Sequence, residues 1–157
     1  MKTTATIIVD NKSGGVPGEW GLSVYAEHKG SRILLDTGAS GLFLSNMERL
    51  GIDVKDTDLA VLSHAHCDHA NGMPAFFEHN QKAKFYVSEN TAPDCYGRIL
   101  FINFYCGIPK TMMEKYQDRI VKVADFCEIA DGVYIVPHRS GGYPEIGKKG
   151  HMFRKVA

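Results

Sequence analysis

The chain has 157 residues, 44% of them hydrophobic and 23% charged, with 18 Lys and Arg against 18 Asp and Glu. That length fits one domain, 1–157, with a core of its own. The balanced charge excludes the strong positive field that draws nucleic acid or an anionic membrane.

The first strand is expected over Thr4–Val9, reached directly from Met1-Lys2-Thr3 with no signal-peptide pattern. No apolar run approaches the roughly 20 residues of a membrane span, so a cytoplasmic protein is expected. Asn11 to Gly18 is a Gly-rich loop with no helix-opening pattern behind it. A loop covering a site is therefore favoured over a phosphate cradle. Gly21–His28 and Ser31–Leu35 read as strands joined by a hairpin turn at Lys29-Gly30. Asp36-Thr37-Gly38 then turns the chain, and Ser40 is placed to cap a helix over Gly41–Leu50. Leu42, Phe43, Met47 and Leu50 give that helix an apolar stripe, and Gly51 stops it.

Leu59–Ser63 is the fourth strand, Pro74–His79 the start of a second helix and Lys84–Val87 the fifth strand. Between Ser88 and Asp118 the pattern loosens. Ile99 to Tyr105 is strongly apolar and reads as a packed excursion or helix with core contacts, a lid or wall of a pocket or an oligomer contact being the alternative. Ile120–Val123 and Gly132–Val136 are two further strands, and the basic tail from Lys148 shows no terminal strand. Alternating strands and helices point to a layered α/β architecture.

The chemistry concentrates after the fourth strand, in Ser63-His64-Ala65-His66-Cys67-Asp68-His69. Four potential metal ligands fall within six residues, spaced His-x-His-x-Asp-His. A lone His is more often a surface or core residue, but three His and an Asp packed this tightly are hard to explain so. Imidazole suits zinc or iron, and the carboxylate adds charge for a second metal position. Four cysteines, Cys67, Cys95, Cys106 and Cys127, show neither a Cys-x-x-Cys pair nor a disulfide framework. Cys67, inside the motif, is read as a bystander.

His64 to His69 is similar to the signature of the metallo-β-lactamase-fold hydrolases, and Ile33 to Gly38 resembles their strand ending in Asp-x-Gly. With Glu19 to Ser23 and Asn46 to Gly51, the chain most resembles the subgroup around dihydropterin–ribofuranosylaminobenzene 5'-phosphate synthases. The resemblance implies a four-layered αββα sandwich, of which this chain looks like an incomplete, first-half version truncated at its C-terminus. It implies that His64 and His66 bind a first metal, that Asp68 and His69 bind or orient at a second, and that Asp36 supports a ligating His. His138, after a strand, is a further candidate ligand. One or two zinc ions are expected, with iron or manganese as alternatives. The remaining ligands would come from a missing C-terminal half or another chain in a homo-oligomer.

The expected function is metal-dependent hydrolysis of a small-molecule ester, lactone, thioester or phosphate, with Asp68 holding the water. An iron-dependent oxidoreductase on the same fold and an incomplete, non-catalytic metal-binding domain are alternatives. Leu34 to Ser40 also resembles the active-site turn of retroviral-type aspartic proteases. That reading would leave the His/Asp cluster unexplained.

Overall fold

A computed structural model of the chain describes residues 2–91, 94–137 and the backbone of 152–153. Its frame is a six-stranded sheet in the order β1 (Thr4–Val9), β2 (Ser23–His28), β3 (Ser31–Leu35), β4 (Leu59–Val61), β5 (Lys84–Ser88), β8 (Ile120–Val123). The first three strands are antiparallel, and β3, β4, β5 and β8 run parallel. Lys29 and Gly30, at φ 49° and 87°, make the two-residue turn between β2 and β3, the positive-φ geometry whose twist suits a hairpin.

Parallel strands need crossovers, and these supply the helical layer. β3 passes through α1 (Leu42–Arg49) to β4, and β4 through α2 (Cys67–Ala70) and α3 (Met73–His79) to β5. Register then sorts the side chains by face. Leu34, Ala60 and Phe85 stand side by side across β3, β4 and β5 and are fully buried. They pack with Phe43, Met47, Phe76 and Phe77 from α1 and α3 in the main core. Their neighbours Leu35, Val61 and Tyr86 align on the opposite face and are only partly buried.

α1 begins one residue later than expected, and Ser40 Oγ accepts from Leu42 N at 3.1 Å rather than capping from the residue before the helix. The Gly-rich loop does not cover the cavity described below. It runs against α1, where buried Asn46 donates to the carbonyls of Ile8 and Pro17 at 2.8 Å each.

The larger difference lies between β5 and β8. The apolar excursion is a hairpin of β6 (Tyr96–Ile99) and β7 (Ile102–Tyr105), followed by α4 (Met112–Lys115). Its tip is in solvent, with Leu100 83% and Phe101 98% exposed, so the run does not pack into the core. β9 (Cys127–Ala130) and β10 (Val133–Ile135) form a second hairpin, and β11 (Met152–Phe153) pairs with β6 in the tail where no strand was expected.

Candidate metal centre

The site lies where β3 and β4 end, the carboxyl edge at which parallel sheets open crevices for ligands. Asp36, directly after β3, is fully buried at φ 57°, a left-handed conformation that Asp tolerates better than most side chains. Both its oxygens are engaged. Oδ1 accepts from Ser63 N at 2.7 Å, and Oδ2 accepts from Ser63 Oγ at 2.6 Å and from His69 Nδ1 at 2.7 Å. A buried carboxylate with these donors is a positioning group. It has no open oxygen for the catalysis that an aspartic protease requires.

The histidine loop is held by its backbone. Thr37 N and Oγ both donate to His69 O, at 2.8 and 3.0 Å. Gly21, at φ 141°, lets the chain approach Asp68 so closely that a Cβ there would stand 2.1 Å from Asp68 O. Glu19 fixes the adjoining turn, its carboxylate accepting from Ala39 N, Ser40 N and Ser40 Oγ. His66 stands at the N-terminus of α2, and His69 N and Ala70 N return to its carbonyl.

The side chains gather as two pairs. His64 Nε2 faces His66 Nδ1 at 3.2 Å, and His69 Nε2 faces Asp68 Oδ2 at 3.6 Å. The His64 and His69 rings, centroids 4.1 Å apart, bring the pairs together. Two ligands of a tetrahedral zinc at bonds of about 2.0–2.1 Å stand roughly 3.3–3.4 Å apart, so each pair has the spacing of neighbouring ligands. Among the described residues no three such donors converge into a metal cradle. The donor types and pair spacings fit a metal, and a complete ligand set is not assembled from these residues alone. His138 lies outside the described residues.

Protonation favours ligation at His64. Loss of hydration and then the neighbouring His69 and His66 hold the His64 imidazole below its usual value, which keeps its lone pair free. His69 is pushed up, first by its hydrogen bond to Asp36 and against its partial burial. That bond commits Nδ1 as the donor and leaves Nε2 toward Asp68, the arrangement that fixes tautomer and ring orientation in ligating histidines.

A cavity of about 740 Å³ opens beside the first pair. His64 and His66 line it together with Leu35, Val61 and Tyr86 of the sheet and Ile129 and Ile135 of the β9–β10 hairpin. Asp68 and His69 are not among the residues that line it. The size and the apolar lining with few polar groups are those of a small-molecule site.

A sequence model of the metallo-beta-lactamase superfamily matches residues 20–140. The chain belongs to this superfamily. Its members are in general metal-dependent hydrolases holding one or two metal ions, usually zinc. The fold is similar to that of Tm1679, described as a metal-dependent hydrolase of the beta-lactamase superfamily, with a TM-score of 0.70 at 22% identity. The match covers 97% of this chain and 54% of that one, so the chain spans about half the length of this solved relative.

Partial overlaps occur with MEM-A1, a subclass B3 metallo-beta-lactamase isolated from a soil metagenome library, and with a Cronobacter sakazakii metallo-beta-lactamase. The first has a TM-score of 0.48 and 19% identity over 71% of this chain and 43% of that one. The second has 0.40 and 27% over 45% and 26%. No curated protein matches the chain. The described residues of this superfamily member hold one helix-backed sheet of the expected αββα sandwich. None of their helices is long and apolar enough to cross a membrane.

The motif residues that sequence reasoning selected thus share one loop end with Asp36. It missed Ser63, Thr37 and Gly21 as their supports. Ser63, adjoining the motif, is the one that position alone suggests.

Proposed function

We propose that the chain carries the metal-binding part of a metal-dependent hydrolase acting on a small-molecule ester, lactone, thioester or phosphate. One observation supports this above all: Asp36 orients His69 at 2.7 Å, beside a His64–His66 nitrogen pair 3.2 Å apart that lines a cavity. In this reading His64 and His66 hold one metal, and Asp68 and His69 bind or orient at a second. Zinc is the expected ion, and iron or manganese would suit the same donors.

An ion held by these residues would supply Lewis acidity and would lower the pKa of a water from roughly 15.7 to about 7. Asp68 would hold the attacking water and accept its proton on a carboxylate oxygen. Asp36 keeps His69 in one tautomer, and the lining of Leu35, Val61 and Tyr86 would receive the body of the substrate and exclude bulk water. The missing donors come from beyond the described residues: His138, a further segment, or a second copy of the chain. Within the superfamily we place the chain with proteins similar to the dihydropterin–ribofuranosylaminobenzene phosphate synthases, on the strength of Glu19–Ser23, Asp36–Gly38 and Asn46–Gly51.

The test is metal content per chain with its mass in solution, followed by hydrolysis of ester, lactone, thioester and phosphodiester substrates. His66→Ala and Asp68→Ala should each abolish metal-dependent turnover and leave the circular dichroism near wild type. Undiminished turnover in either variant would overturn the assignment. An iron-loaded protein that consumes oxygen and hydrolyses none of the panel would favour the oxidoreductase instead.

A further inference from the structure

Three of the four cysteines meet beside the histidine loop. The β6–β7 register pairs Tyr96 with Tyr105 and Gly97 with Phe104. Continued by one residue, it sets Cys95 directly opposite Cys106, and Cys106 N donates to Cys95 O at 2.9 Å. Directly opposed residues of antiparallel strands have Cα atoms about 4.5–5.5 Å apart with side chains on one face. Disulfides bridge about 4.4–6.8 Å. All four cysteines are thiols in the structure.

We propose that Cys95 and Cys106 are a redox-active pair that closes to a disulfide across the base of the β6–β7 hairpin. The two thiols are unequal. Cys95 lines the cavity, which opens to solvent. Cys106 is 4% exposed, so Cys95 reacts first and Cys106 resolves.

With a small-molecule disulfide as oxidant, the Cys95 thiolate attacks one sulfur, forming a mixed disulfide and releasing one small thiolate. Cys106 sulfur then attacks Cys95 sulfur and releases the second small thiol. Two protein thiols and one small disulfide become one protein disulfide and two small thiols, which carry off both protons. The bond bears on the loop next door, because Cys67 N, between His66 and Asp68, donates to Cys106 O at 2.7 Å. Cys67 is the rival partner by proximity; the strand register favours Cys95.

The experiment oxidises the full chain with glutathione disulfide, alkylates the remaining thiols and maps the tryptic peptides, with a reduced sample beside it. Cys95 and Cys106 fall in separate peptides, cut after Arg98. A linked pair holding Cys95 and Cys106, with Cys67 and Cys127 alkylated, is the expected result. Four alkylated thiols, or a link through Cys67 or Cys127, would overturn the proposal. In Cys106→Ser, Cys95 should be trapped as the mixed disulfide; an intramolecular link persisting there would overturn it equally. The wild-type map decides even if that variant fails to fold.

Discussion

Asp36 Oδ2 accepts from His69 Nδ1 at 2.7 Å, across 33 residues of chain and from a fully buried position at φ 57°. The bond joins the end of β3 to the loop after β4, so the sheet aims His69 through a carboxylate that has no route to solvent. Asp36→Asn keeps the left-handed backbone, which Asn tolerates, and can still accept one hydrogen bond. It removes the charge that orients the imidazole. Metal affinity should fall about 10–100-fold, measured by competition with a chromophoric chelator, with the circular dichroism unchanged. Undiminished affinity would mean that Asp36 serves only the turn.

Gly21 controls the other side of the same loop. A Cβ there would stand 2.1 Å from Asp68 O and 3.3 Å from Ala39 N, at a φ of 141°. Neither neighbour is the end of a flexible side chain, so the loop itself must move. Gly21→Ala should cost about 1–3 kcal/mol in urea unfolding and weaken metal binding as well. Loss of stability with binding intact would separate Asp68's backbone position from the site.

Much of this was legible in the sequence because it was contiguous. The β1, β3 and β8 bounds follow from short apolar runs closed by turn residues, and the metal motif is six residues long. The supports of the site were not legible, since Glu19 to Ala39, Gly21 to Asp68 and Thr37 to His69 are contacts made only when β1 to β4 assemble. The β6–β7 hairpin misled for another reason. Its turn at Leu100, φ 54°, and Phe101 carries none of the Gly, Asn or Pro that mark turns, and its hydrophobicity resembled a core segment.

That exposure is testable against the core. Leu100→Ser with Phe101→Ser should leave stability within about 0.5 kcal/mol, as solvent-facing changes do. Phe77→Ala should cost about 3–5 kcal/mol, because Phe77 is buried, packs against Phe85 and stacks on Tyr116 at 4.2 Å. Thermal melts of both proteins decide it. A large loss in the tip variant would show that the tip is covered in solution.

The last prediction concerns pH. Asp58 joins the start of β3 to the segment before β4, accepting from Arg32 N at 3.0 Å, Arg32 Nε at 3.2 Å and Lys82 Nζ at 2.8 Å. Partial burial pushes its carboxyl up, but the Arg32 and Lys82 hydrogen bonds outweigh that and hold it at about 2. An unfolded Asp titrates near 3.9. A folded value below the unfolded one stabilises above the unfolded pKa, and that contribution is lost as pH falls from about 4 to about 2. The carboxylate is a third exposed, so solvent reduces the worth of the shift to about 1 kcal/mol. Asp58→Asn should therefore be less stable than the parent chain by about that amount at pH 7, and the gap should close by about pH 2. Urea midpoints of both proteins across that window measure it, and a gap that stays constant with pH would mean that the carboxylate's charge contributes nothing.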